Sequence, residues 1–163
     1  MNLPPYDLFP SLSNDRILLR QVLTSDVEEI IEISFYDCIQ AKTLQEAIEM
    51  QGKIDKDYFE GNSVQWCIVD KSTNKIVGTC GYCRGFNKGA GELGCVLLTQ
   101  YKRQGFMKAA LELAIDFGIN NIGLKRIWAL TTKENNSAIK LLSGLNFIKI
   151  AELEDDFIEY QLL

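Results

Sequence analysis

The sequence predicts a single-domain α/β fold, in which about four helices flank a mixed sheet with an antiparallel N-terminal half. Three observations support this prediction. The chain has 163 residues, 47% of them hydrophobic and 24% charged, which suits one compact domain over residues 1–163. Two apolar runs, 64–70 and 76–84, flank a short polar loop and predict a hairpin. The region 92–132 is typical of a strand, a buried helix and a further strand, and this order favours a crossover connection.

The N-terminal elements are predicted to be one strand and two amphipathic helices. The run RILLR at 16–20 is typical of a short strand. A capping-box pattern from Ser25 to Glu28 predicts that a helix begins there. The pattern from Thr43 to Glu46 predicts a second helix, which ends at Gly61.

The remaining elements follow from apolar runs between turn residues. We expect strands at 64–70, 76–84, 92–98, 126–132, 147–153 and 156–163, and helices at 105–122 and 136–145. The helix at 105–122 is apolar on nearly every side, so we expect it to be buried against the sheet.

The composition excludes several classes of function. The chain has no histidine, which excludes Ser-His-Asp and Cys-His catalysis and histidine-based metal sites. Its net charge of -5 opposes binding to a nucleic-acid backbone. The first residues lack the features of a signal peptide, and no uncharged apolar run approaches the ~18 residues of a membrane span. We therefore expect a cytoplasmic protein with no metal, no nucleic-acid partner and no membrane partner, and the sequence leaves homodimerisation open.

The cysteine pattern favours a reducing compartment. The five cysteines are an odd number without the spacing of a disulfide framework. Cys80 and Cys83 match CxxC, but they lie in a predicted strand, where residues i and i+3 point to opposite faces. Buried structural thiols are the favoured interpretation, and a dithiol oxidoreductase is the alternative.

A candidate anion site lies where the helix at 105–122 begins. Lys102 and Arg103 follow a strand, and Gly105 stands at the helix start. The first N–H groups of a helix have no intrahelical partner and carry about half a positive charge between them. A helix that begins after a polar turn shows the same pattern, so the loop alone leaves both interpretations open.

Two linked motifs resemble those of the GNAT N-acetyltransferase family. The run YKRQGFM at 101–107 resembles the acetyl-CoA loop R/Q-x-x-G-x-G/A, with Met107 at the position of the last small residue. The run NNSAIKLLSGLNF at 135–147 resembles the family's N-x-x-(S/A)-I-x-L-L/Y-x-x-x-G-F segment. The runs ELGC at 92–95 and RILLR at 16–20 are similar to strands of the RimJ/RimL-like branch. The resemblance implies a GNAT-like sheet whose parallel strands are splayed at the centre.

The resemblance also implies acetyl-CoA (CoA) as co-substrate, bound in the gap between the strands at 92–98 and 126–132. The backbone of the first strand would pair with the pantetheine, and the following loop would wrap the pyrophosphate. Asn135 would hold the pantetheine arm or the neighbouring strand, although its position also fits a helix N-cap. The implied cofactor-binding residues are Cys95, Val96, Leu97, Lys102, Arg103, Gln104, Gly105, Phe106, Met107, Lys108, Asn135 and Ala138.

The chain lacks the proton donors that many family members carry. Leu142 stands where they have a general-acid tyrosine, and Ala138 stands where others have a serine. A thiol with a pKa of about 8.5 leaves as thiolate near pH 7 at a cost of only about 2 kcal/mol, so water can supply that proton. Deprotonating a lysine amine costs about 4.6 kcal/mol, against about 1.4 kcal/mol for an α-amine. A base is therefore the more important requirement.

We expect Glu92 to be the catalytic base, acting through a water, with a solvated strand carboxylate as the alternative. Tyr101 and Ser143 are weaker candidates for a proton relay. Cys95 could carry the acyl group, but a buried thiol is favoured. A backbone N–H at a strand bulge near Cys95 and Val96 would stabilise the oxyanion by about 3–4 kcal/mol.

These residues predict acetyl transfer from acetyl-CoA to a primary amine by direct attack in a ternary complex. The amine is a protein N-terminal α-amine or that of a small molecule, and the acidic chain favours a cationic acceptor. The alternative is a catalytically weakened acyl-CoA-binding or regulatory module, which Leu142 and Ala138 favour.

Overall fold

The computed structural model describes residues 1–163 and contains an eight-stranded sheet in the order β1-β2-β5-β6-β7-β8-β10-β9. The strands are β1 (Leu12–Ser13), β2 (Ile17–Gln21), β3 (Phe35–Tyr36), β4 (Ile39–Gln40), β5 (Val64–Asp70), β6 (Lys75–Cys83), β7 (Ala90–Leu97), β8 (Arg126–Thr132), β9 (Phe147–Glu152) and β10 (Phe157–Leu162). The helices are a 3₁₀ helix (Thr24–Ile33), α1 (Leu44–Phe59), α2 (Phe106–Phe117) and α3 (Asn136–Gly144). Strands β3 and β4 form a separate hairpin. None of the helices has the length and apolar character needed to cross a bilayer.

The predicted mixed sheet with splayed central strands is confirmed. Neighbouring strands are antiparallel except β7 and β8, which are parallel and pair only from Ala90 to Glu92. Beyond this pairing, β7 stays bonded to β6 as far as Leu97, and β8 stays bonded to β10 as far as Thr132. The edges of β7 and β8 that face each other over 93–97 and 129–132 therefore have no strand partner.

Helix α2 is buried on one face of the sheet, as its apolar sequence predicts. Ala110 and Ala114 of this helix are fully buried, and Tyr82 of β6 donates its hydroxyl to the carbonyl of Ala114 over 3.0 Å. The rings of Trp66 and Phe117 meet edge to face at 5.4 Å between centroids. These contacts fix the position of α2, and hence of the turn that precedes it.

The opposite face of the sheet carries the 3₁₀ helix. Ile30 and Ile33 of this helix join a buried cluster with Cys67, Val69 and Ile76 of the sheet. Helix α1 packs on the outside of the 3₁₀ helix. Helix α1 also contacts β5, so both helices cover this face of the sheet.

The segment after β2 differs from its prediction. It is a 3₁₀ helix, and the expected capping box from Ser25 to Glu28 is wrong. Asp26 forms the cap instead, because its carboxylate accepts the N–H of Leu23 over 2.7 Å and pairs with both terminal nitrogens of Arg20. The helix start is thus set by a charge on the preceding strand, which a local pattern does not contain.

The second capping pattern is confirmed at α1. The hydroxyl of Thr43 accepts the N–H of Glu46 over 3.2 Å, and the Glu46 carboxylate accepts the N–H of Lys42 over 2.7 Å. The short strands β1, β3 and β4 were not predicted. Each has two residues, too few for a periodic pattern.

The CxxC cysteines lie on β6, as predicted, and neither is in a disulfide. Cys80 is fully buried and Cys83 is half-buried. Burial raises the pKa of the Cys80 thiol, and burial together with the Glu92 charge raises that of Cys83 to about 12. Buried thiols with a raised pKa are poor nucleophiles, so the structure argues against the dithiol oxidoreductase.

Gly118, where α2 ends, tests the packing of this helix. An added Cβ there would lie 2.1 Å from the hydroxyl oxygen of Tyr82, which is buried and already bonded to Ala114. We expect Gly118→Ala to lower the free energy of unfolding by about 1–3 kcal/mol in urea denaturation. Gly52→Ala in α1 is the control, since nothing lies within 4 Å of its added Cβ, and it should raise stability by up to about 1 kcal/mol. Equal effects of the two substitutions would contradict this packing.

Candidate functional site

The turn between β7 and α2 presents a row of free backbone donors. None of the backbone N–H groups from Arg103 to Lys108 donates to another protein atom. The helical hydrogen bonds of α2 begin at Ala109, whose N–H donates to the carbonyl of Gly105. Arg103 and Gly105 have positive φ values of 62° and 81°. Left-handed residues in a turn can point successive N–H groups toward one side and so form a concave anion site.

The side chains of this turn divide into two groups. Phe106 and Met107 are buried, so they offer the turn's concave side only their backbone. The exposed side chains are Lys102, Arg103, Gln104 and Lys108. Three of these four carry a positive charge, so the rim of the turn is cationic.

Glu32 of the 3₁₀ helix fixes the segment that enters this turn. Its carboxylate accepts the hydroxyl of Thr99 and also the Thr99 N–H, the latter over 3.1 Å. These hydrogen bonds, with a smaller contribution from Lys102, lower the pKa of Glu32, so the contact persists at neutral pH and is lost only in acid. The Glu32 carboxylate therefore links the 3₁₀ helix to the segment that enters the turn.

Arg16 also lies beside the turn, although its sequence pattern indicates only a strand residue. Its guanidinium carbon is 4.1 Å from the centroid of the Phe106 ring, and an added Cβ on Gly105 would lie 3.0 Å from its Nη1 atom. Arg16 and Phe106 line a recess of about 460 Å³, which the carboxylates of Asp15 and Asp70 also face. No local pattern could have indicated this contact, because the fold alone brings the two segments together.

Cys95, Val96 and Leu97 lie on β7 along the gap. The prediction of a buried Cys95 is wrong, because this side chain is exposed where β8 moves away, and the other two are half-buried. The predicted bulge is also wrong, since β7 stays in continuous register with β6 from Glu92 to Leu97.

On the other side of the gap, Asn135 caps α3. Its side-chain oxygen accepts the N–H of the half-buried Ala138 over 3.1 Å, and its own N–H donates to the last residue of β8, Thr132. The N-cap interpretation is therefore confirmed. Leu142 is buried and Ser143 is exposed on the same helix.

Tyr101 packs on the turn. Its ring meets that of Phe106 edge to face, with 6.0 Å between centroids. It is half-buried and also contacts the cluster of apolar residues under the 3₁₀ helix. These contacts give it a packing role in this structure.

Glu92 is buried at the closed end of the gap. It forms the last β7–β8 pair with Trp128, and its side chain is 7% exposed. One carboxylate oxygen pairs with Arg84, while the other, Oε2, is buried with no hydrogen-bond partner. The alternative of a solvated carboxylate is therefore wrong. A buried carboxylate oxygen without a partner is rare in folded proteins and costs free energy.

Glu92 lies on the sheet face that carries the 3₁₀ helix. Its register partner on β6 is Cys83, and the next row on this face is Gln65, Gly81 and Gly94. An added Cβ on Gly94 would approach only the Cys83 sulfur, at 3.8 Å. Space is therefore open above Gly94, on the same face as Glu92, and a narrow crevice lined by Gln65 and by residues of the 3₁₀ helix and α1 also lies on this face.

Comparisons with known sequences agree with this geometry. The family model described as an acetyltransferase (GNAT) domain matches residues 16–148. YoaA of Bacillus subtilis (strain 168), named as an uncharacterised N-acetyltransferase, is 27% identical over 150 residues, which are 87% of this chain and 85% of that protein. The p20 protein of Bacillus licheniformis, named in the same way, is 30% identical over 153 residues, which are 89% of this chain and 86% of that protein.

Solved structures share the fold at low sequence identity. A ribosomal-protein-S5-alanine acetyltransferase from Vibrio fischeri has a TM-score of 0.79 and 22% identity, covering 94% of this chain and 96% of that chain. A spermidine N-acetyltransferase from Vibrio cholerae, described as dodecameric, has a TM-score of 0.77 and 16% identity, covering 92% and 95%. The family match over residues 16–148, together with the two sequence relatives, shows that the chain belongs to the GNAT family and is a GNAT-type N-acetyltransferase.

Proposed function

We propose that this protein transfers the acetyl group of acetyl-CoA to a primary amine by direct attack in a ternary complex, with Glu92 as the base. One observation carries the proposal. The gap between β7 and β8 has the row of free N–H groups at its open end and the unpartnered Glu92 oxygen at its closed end. A phosphate-bearing thioester and a proton acceptor can therefore meet along one edge of the sheet.

In the proposed complex, the pyrophosphate binds the N–H groups from Arg103 to Lys108, whose partners are otherwise missing. Each such hydrogen bond to a charged group contributes about 1.5–3 kcal/mol. The positive charges of Lys102, Arg103 and Lys108 add a screened electrostatic attraction to the pyrophosphate. The pantetheine lies beside Cys95, Val96 and Leu97 and pairs with the open edge of β7 as a further strand would.

Asn135 and Ala138 form the other wall of the proposed cofactor site. The side-chain oxygen of Asn135 is used by the helix cap, so its amide N–H₂ is the group left for the pantetheine or the neighbouring strand. Ala138 offers only a small apolar surface there. This assignment lets Asn135 act as cap and as ligand at once.

The proposed reaction needs one protein base. The amine nitrogen attacks the thioester carbonyl carbon, the amine proton passes to Oε2 of Glu92 directly or through a water, and the carbon–sulfur bond breaks. CoA leaves as the thiolate and takes its proton from water, which fits the apolar Leu142 at the usual acid position. A backbone N–H on the open edge of β7 stabilises the oxyanion.

The acceptor is a protein N-terminal α-amine or the amine of a small cation. An α-amine is the less demanding nucleophile, because its deprotonation at pH 7 costs about 3 kcal/mol less than that of a lysine side chain. The segment 24–60, which lies over the Glu92 face, holds ten of the 22 acidic residues of the chain and three of the 17 basic ones. This charge attracts a cationic acceptor.

Turnover of Glu92→Gln tests the proposed base. With a panel of primary amines, the wild-type protein should release CoA thiol from acetyl-CoA in an amine-dependent way, and Glu92→Gln should lower kcat by about 10²–10⁴-fold. The dissociation constant of CoA should change less than about twofold, since Glu92 lies beyond the phosphate turn.

Glu159→Gln is the matched control, because Glu159 is also a strand carboxylate paired with an arginine. It should keep the wild-type kcat. Saturable CoA binding without amine-dependent thiol release would contradict the enzyme and favour the CoA-binding module.

Substitution of Gly105 tests the phosphate turn. Gly105→Ala places a Cβ at a φ of 81° and 3.0 Å from Arg16, so the turn must shift. The strain of about 1–2 kcal/mol should raise the dissociation constant of CoA about tenfold in isothermal titration calorimetry. Gly144→Ala in α3, where nothing lies within 4 Å, should leave that constant unchanged. Wild-type affinity in Gly105→Ala would show that the pyrophosphate binds elsewhere.

A further inference from the structure

We propose that Arg84 is the positioning residue of the base, and that it couples Glu92 to the hairpin formed by β3 and β4. The inference rests on the proposed function for the role of Glu92 as base. Arg84 follows β6 and was not singled out by the sequence. The structure places its guanidinium between the sheet and the hairpin, with a contact to each.

The first contact holds one oxygen of the base. Nη1 of Arg84 donates to Oε1 of Glu92, and this hydrogen bond raises the pKa of the guanidinium, which therefore stays charged. The pair fixes the carboxylate so that Oε1 is occupied and Oε2 is the oxygen left for a proton. The positive charge also offsets the cost of burying the ionised carboxylate.

The second set of contacts reaches the turn between β3 and β4. Nε of Arg84 lies 3.7 Å from a carboxylate oxygen of Asp37, and Nη2 donates to the sulfur of Cys38 over 3.3 Å. Asp37 and Cys38 have φ values of 51° and 65° and form the tip of the hairpin. The hydroxyl of Tyr36 donates to Asp57 of α1 over 2.9 Å, which anchors the hairpin at its other side.

The backbone of Arg84 is consistent with a positioning role. Its φ of 57° is in the left-handed region, which is unfavourable for a residue with a side chain. Such a conformation persists when the contacts around it over-determine it. Here the contacts are those to Glu92 and to the hairpin tip, so the position of the hairpin and the orientation of the base are coupled through one side chain.

Two substitutions of Arg84, made in the wild-type protein and compared with Glu92→Gln, test this coupling. Arg84→Gln should lower kcat by about tenfold or more, yet less than Glu92→Gln does, while the dissociation constant of CoA stays within about twofold. Arg84→Lys keeps the charge and should restore most of kcat. In the Glu92→Gln background, Arg84→Gln should have no further effect on kcat, because it acts through Glu92.

The pH profile gives a readout that a merely structural role would not move. The charged and titratable groups that face the pair are Asp37, Cys38 and Cys83. Without the guanidinium, ionising a buried carboxyl is harder, so the acid limb of kcat/KM in Arg84→Gln should move up by about one pH unit or more. Arg126→Gln, which removes an arginine paired with Glu159 at similar exposure, should leave kcat and the profile unchanged.

The outcomes separate this inference from the proposed function. Wild-type kcat in Glu92→Gln would overturn both. If Glu92→Gln loses kcat but Arg84→Gln keeps the wild-type kcat and pH profile, the role of Arg84 alone is overturned. The same conclusion follows if Arg84→Gln lowers kcat by the same factor in the wild-type protein and in the Glu92→Gln variant. Binding of CoA reports whether each variant is folded. If Arg84→Gln is not folded, Arg84→Met takes its place, with the same expected loss of kcat, the same shift of the acid limb and the same contradicting outcomes.

Discussion

The separation of β7 from β8 is the constraint on which the rest of the site depends. Backbone polar groups in a sheet normally find partners on both sides, and here two neighbouring edges lack them over 93–97 and 129–132. The sheet tolerates this because each strand keeps its other neighbour. The same separation directs the chain after β7 into a turn whose N–H groups are also unpaired. An extended ligand with an anionic end satisfies both sets of groups.

The two faces of β7 differ in packing near Glu92. An added Cβ on Gly91 would lie 2.7 Å from Leu124 and 2.9 Å from Tyr82, whereas one on Gly94 would meet nothing closer than 3.8 Å. Glu92 stands between these two glycines. The tight packing at Gly91 is on the opposite face of β7 from the Glu92 side chain, whereas the open space at Gly94 is on the same face. The carboxylate is therefore held by Arg84 and lies near open space, an arrangement that suits a group which must be fixed and still reach a substrate.

The fold was largely predictable, and the site was predictable only in part. Strong local patterns indicated the β5–β6 hairpin, α2 and the turn at 101–108, because periodicity and turn residues are read within a few positions. The burial of Glu92 was not predictable, since its partner Arg84 lies on a neighbouring segment. The exposure of Cys95 depends on where β8 leaves β7, and the cap at Asp26 depends on Arg20. These features arise from pairings across the sheet, which a single sequence does not specify.

A crystal structure with bound CoA tests the central claim most directly. The account predicts that the diphosphate contacts the N–H groups from Arg103 to Lys108 and that the pantetheine lies between 93–97 and 129–132, with its sulfur toward Glu92. A CoA molecule bound outside the gap, or strands β7 and β8 zipped together along their full length, would contradict the account.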